Sequence, residues 1–143
     1  MRADQEAAMK AYTTASKEAD RLLMAGGATK PTKTLQATTG GEYLKTKMYV
    51  LETFKERGWR ADRAMTTTVV ADGGWSPENL GLTACEDDSK ARFLDKKGKE
   101  VFKDRDHRYV QTLTATKKNG VWKITDGESK AVKTFENEGN CAP

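Results

Sequence analysis

Two cysteines, a single histidine and a run of three adjacent carboxylates are the residues here whose types could do chemistry. Cys85 and Cys141 could serve as nucleophiles, metal ligands or the two halves of a disulfide. A nucleophilic thiol needs a partner that stabilises the thiolate, and neither cysteine has one nearby in sequence. With His107 they match no accepted zinc spacing, so no metal site is expected. Cys141 lies in the polar tail Gly139-Asn140-Cys141-Ala142-Pro143. Such a tail is mobile unless tied down, and Cys85, in the middle of a strand-like run, is the natural tie. A bridge closing a loop of that length removes about 4 kcal/mol of unfolded-state entropy in the chain-entropy picture. Disulfides persist in oxidising compartments, which predicts export.

His107 sits in Lys103-Asp104-Arg105-Asp106-His107-Arg108. So charge-dense a stretch reads as a solvated loop or strand start rather than the setting of a general base. Glu86-Asp87-Asp88 follows Cys85 and reads as a solvated turn at a strand end. Only one of the three could point into a pocket, because strand neighbours alternate faces. There is no Ser-His-Asp set, HExxH motif or glycine-rich phosphate loop, so no catalytic residue is assigned and no cofactor expected. Tyr12, Tyr43, Trp59, Trp75, Tyr109 and Trp122 could line a pocket for an apolar or aromatic ligand, or pack a core under a sheet. Trp75 stands apart, in Gly73-Gly74-Trp75-Ser76-Pro77. A tryptophan there reads as a partner or ligand contact, or as a loop folding its ring over a sheet edge.

The elements that must position these residues are legible from period and turn chemistry. At 143 residues the chain predicts one domain, 1–143. Asp4 to Met24 reads as an amphipathic helix, with Ala8, Tyr12, Ala15, Ala19 and Leu22 on one stripe and Gly26-Gly27 stopping it. Pro31 could open a short helix carrying Leu35. Thr39-Gly40-Gly41-Glu42 matches a capping box for a helix ending at Gly58. The period then becomes strand-like: Arg60 to Ala71, Leu80 to Asp87, a hairpin around Asp95-Lys96-Lys97-Gly98, and Arg108 to Lys117. Asn119-Gly120 turns this last strand into Val121 to Thr125, with a polar tail after it. The expected layout is helical over about 4–57, antiparallel sheet over 60–126 and tail over 127–143. Helices followed by strands without alternation mean an α+β fold, with a curved sheet wrapped around a long helix as a cone. The wide end of a cone is a natural pocket.

The net charge is +4, and the lysine clusters at Lys96-Lys97-Lys99 and Lys117-Lys118 read as solvated turns. No specific nucleic-acid binding is expected. Weak attraction to an anionic membrane or cell-wall polymer stays open. No stretch is apolar for long enough to cross a bilayer.

Ala11-Tyr12 in the opening helix, Gly41-Glu42-Tyr43-Leu44 and Cys85-Glu86-Asp87 occur in an order that resembles the NTF2-like (SnoaL-like) cone-fold superfamily. Asp95-Lys96-Lys97-Gly98, Gly120-Val121-Trp122-Lys123-Ile124 and Gly139-Asn140-Cys141 continue that order. The chain is most similar to exported, lipoprotein-type actinobacterial members, over nearly its whole length. The resemblance implies the cone and export, with a leader or membrane tether outside this sequence, but it does not imply a chemistry. The expectation is a non-catalytic, exported binding or assembly module of the cell envelope. Its partner would be another protein or a small apolar ligand, and it could pair with itself through the sheet face. Two alternatives remain. One is a small isomerase- or cyclase-type enzyme with a carboxylate and a tyrosine facing each other inside the cone. The other is a scaffold subunit of an envelope secretion or conjugation machine.

Overall fold

The computed structural model describes residues 2–143. Three helices come first: α1 (Arg2–Met24), α2 (Lys33–Thr38) and α3 (Gly41–Arg57). The strands follow as β1 (Arg60–Ala61), β2 (Thr66–Val70), β3 (Asn79–Asp87), β4 (Phe93–Leu94), β5 (Glu100–Val101), β6 (Arg108–Lys118) and β7 (Val121–Val132), and a 3-10 turn covers Gly139–Cys141. The main sheet is antiparallel in the order β2-β3-β6-β7, and a small second sheet has the order β1-β4-β5. The molecule is α+β, with N-terminal helices packed on a curved antiparallel sheet and the tail tied by a disulfide.

One face of the main sheet carries the core. Leu80, Leu82 and Ala84 of β3, Leu113 and Ala115 of β6, and Trp122 and Ile124 of β7 pack against Ala8 and Tyr12 of α1 and Tyr43 of α3. Alanines on the α1 stripe let its backbone approach the sheet, and each leucine so buried contributes about 1.5–3 kcal/mol. A second cluster of Leu22, Leu35, Met48 and Leu51 joins the helices to one another. Between Thr114 and Ala115 the β6–β7 register shifts, leaving Thr125 as the extra residue. A bulge of this kind bends its strand and curves the sheet around α1. At the β6–β7 turn Asn119 and Gly120 both have positive φ, 53° and 78°, the primed turn that Asn-Gly favours.

Several expectations are corrected. The strand from Arg60 to Ala71 is two pieces, β1 and β2, which belong to different sheets. The tail does not begin at 127, because β7 runs to Val132. Residues 126–131 are all exposed and carry no apolar alternation, but β6 presents an edge whose backbone groups need partners, and backbone pairing needs no side-chain pattern. Thr39 does not cap α3; the cap position is Gly40, with no side-chain bond. The Thr39 hydroxyl donates instead to the Leu35 carbonyl at 2.6 Å. Thr39 is buried where it bridges to Ile124, so it turns back to the nearest acceptor at the end of α2.

Candidate functional site

Strand pairing decides what shares a surface. Across the helix-facing side of the main sheet, Thr67, Glu86, Tyr109 and Ala131 form one row, and Val69, Ala84, Gln111 and Ser129 the next. Below these rows the face is apolar; at them it becomes polar. Over this region lie Ser16, Ala19, Asp20 and Leu23 of α1 and Lys47, Val50 and Leu51 of α3. Between helices and sheet is a cavity of about 340 Å³. A side lobe of about 130 Å³ reaches Tyr43, Thr46 and Gly127 and shares Lys47, Gln111 and Ser129 with it.

The cavity is charged. Burial pushes the Asp20 carboxyl up to about 6, and the Glu86 charge adds to this. Glu86 is also raised, by burial first, with Lys47 opposing. The Lys47 ammonium is held above its usual range by the Tyr43 hydroxyl and then by Glu86, against burial. Its Nζ stands 5.3 Å from the centroid of the Tyr43 ring, and it makes no ion pair with either carboxylate among the described residues. Tyr12 is raised, burial first and the nearby Tyr43 next. Burial raises Tyr109 as well, with the Asp88 charge adding to it.

At the rim Asp88 is buried and bonded to Arg105 Nη1 at 2.8 Å. The same guanidinium donates to the carbonyls of Asp88 and Ala91, and to His107 Nδ1 at 2.8 Å. It stacks 4.6 Å from the Phe93 ring centroid. The Glu86-Asp87-Asp88 run is therefore not a solvated turn. Glu86 points into the cavity, Asp87 pairs with Arg108, and Asp88 anchors the Arg105 network. His107 belongs to that network, at the edge of a half-buried cluster.

The six aromatics separate. Tyr109 lines the cavity, Tyr43 the side lobe, and Tyr12 is core. The three tryptophans lie elsewhere. Trp59 packs edge-to-face on Phe54 and Phe102 beside the small sheet. Trp122 and Trp75 donate their indole N–H groups to Asp4, at 3.0 and 3.2 Å, and Lys117 reaches the same carboxylate at 3.4 Å. An indole N–H near the surface takes the closest acceptor, and Asp4 fastens both rings at the far end of α1. The Trp122 indole, first among its neighbours, holds Asp4 below the usual carboxylate range.

Asp20, Lys47 and Gln111 escape sequence reasoning. Asp20 falls two turns after Tyr12 on the helix, and Gln111 has the same parity as Leu113 and Ala115. A polar residue at an inward position was the available signal.

The disulfide joins Cys85 to Cys141 with Cα atoms 5.6 Å apart. Cys85 alternates with the inward Ala84 and Glu86, so the tail is fastened to the outer face of the sheet, away from the cavity.

No family model and no curated protein matches the chain. Among solved structures it is similar to the intermembrane space region of the chloroplast protein ARC6, at 18% identity and a TM-score of 0.60, covering 90% of this chain and 97% of that one. It also aligns with a cystatin-like-fold protein from Caulobacter vibrioides, at 15% identity and a TM-score of 0.42, covering 96% of this chain and 94% of that one. A protein from Xanthomonas campestris described as a calcium/calmodulin-dependent protein kinase II association domain aligns at 18% identity and 0.36, covering 90% and 79%. The first likeness is one of fold. The chain shares its α+β fold with the ARC6 region.

Proposed function

We propose that this chain is a divergent NTF2-like domain that works as a non-catalytic binding module in an oxidising, exported setting at the cell envelope. The observation that carries it is the cavity itself. Helix and sheet bring Asp20, Lys47, Glu86 and Gln111 to one opening, where they face the space between them rather than each other. Groups left facing a concave space are what a ligand site requires. The Cys85–Cys141 bond supports the compartment, and the intermembrane-space origin of the ARC6 region is in keeping with an envelope setting. The test is native mass spectrometry on protein exported through an oxidising compartment and purified without reductant. A closed disulfide with a small-molecule adduct is expected. Free thiols on a bare chain would overturn the reading.

One observation favours a second reading, an isomerase-type enzyme: the Asp20 carboxyl at about 6 lies in the range of a general base. No hydrogen bond joins Asp20 or Glu86 to a tyrosine hydroxyl, and Tyr109 donates instead to the Asp106 carbonyl at 3.1 Å. Proton exchange at an enolisable ketone, abolished in Asp20→Asn, would establish the enzyme. Exchange at the rate of free buffer would remove it.

A further inference from the structure

We infer that the cavity takes a small organic ammonium ion, a ligand with one cationic nitrogen and a short apolar body. This rests on the binding-module reading and names the class of its ligand. Gln111 is the first observation. It is only 7% exposed, it lines both lobes, and its amide has no hydrogen-bond partner among the described residues. Among the described residues no fully enclosed polar side-chain atom lacks a partner, so the amide opens onto the cavity. A ligand N–H donated to the Gln111 carbonyl would give this amide a partner inside the cavity.

Charge decides the sign of the ligand. Asp88 is matched by Arg105. Of the rest, Asp20 and Glu86 face one ammonium, Lys47, which leans over Tyr43 toward the side lobe. When both carboxylates are ionised they leave one negative charge in excess of Lys47. The two carboxylates repel each other, and a cation between them relieves both. Leu23, Met65 and Phe93 supply apolar wall, and a space of about 340 Å³ is at the small end of ligand sites. The whole chain carries +4, so a cation is not drawn by the overall field and its binding reports the local site.

The experiment is an amide NMR titration of the full, disulfide-closed chain with three probes of one shape: hexylammonium, hexan-1-ol and hexanoate, at fixed ionic strength. Hexylammonium is expected to give saturable shifts centred on Asp20, Glu86 and Gln111, binding about tenfold tighter than the alcohol. Glu86→Gln and Gln111→Leu should each weaken it about tenfold while keeping native spectra, and Lys118→Ala should change nothing. Hexanoate or hexanol binding as well as hexylammonium would overturn the ammonium assignment while leaving a binding module standing. No saturable shift with any probe would also overturn it, and the module reading would then rest on its own mass-spectrometric test.

Discussion

Arg105 ties several groups together at the rim of the cavity. Its guanidinium closes the rim through Asp88, Ala91 and His107 and covers Phe93. Burial still outweighs this neighbour, since the Asp88 carboxyl remains above its ordinary value. Arg105→Met should therefore strand a buried carboxylate and cost about 3 kcal/mol, read as a shifted denaturant midpoint at neutral pH. Adding Asp88→Leu should recover most of that loss, because the stranded charge is then gone. Asp20 points the other way. Its carboxyl rises from 3.8 unfolded to about 6 folded, so the native state holds this proton more tightly than the unfolded chain. The contribution is complete below the unfolded value and is lost as pH climbs through about 6. Asp20→Asn should accordingly stabilise the protein at pH 7 by about 1 kcal/mol, a figure reduced for solvent screening at a half-buried group. The gain should fade toward pH 4 in melts across that range. Groups kept in a costly state in a cavity are candidates for function.

Elements meet where side chains are absent. After α1 the chain passes under α3, and the Ala28 N–H donates to the Leu51 carbonyl at 3.1 Å. Gly27 has φ +92°, and a Cβ there would run into the Leu51 carbonyl and the Lys55 amide, both backbone atoms. Gly27→Ala should destabilise by more than about 1 kcal/mol, since strain and clash act together; thermal melts would show it, and an unchanged Tm would mean the helices can separate at no cost. The Asp4 clasp works at the same scale. It fastens the Trp75 loop and the start of β7 to the first turn of α1, while the Trp75 ring itself stays 40% exposed.

The disulfide acts on the whole molecule. It spans 56 positions and draws the tail back across the outer face of the sheet. Asn140 donates to Asp72 at 2.6 Å, and Lys130 pairs with Glu138 at 3.2 Å. Cys141→Ser should cost about 4 kcal/mol and make 133–143 the first segment cut in limited proteolysis. The cavity should survive this change, because no tail residue lines it. Equal proteolysis of the two forms would show that the surface contacts hold the tail without the bond.

The sequence by itself determined the α+β class, the first and third helices, the Asn119-Gly120 and Asp95–Gly98 hairpins and the pairing of the only two cysteines, and it left the short helix between α1 and α3 open. These follow from local period, turn chemistry and a count of thiols, which need no knowledge of neighbours. Only the tertiary structure decided that Glu86 turns inward, that Asp88 is buried, that the tryptophans stay out of the cavity and that β7 outlasts its apolar pattern. The physical reason is common to all four. A polar residue read alone looks solvated, and its cost or use appears only when α1, α3 and two strands distant in sequence close over the same space.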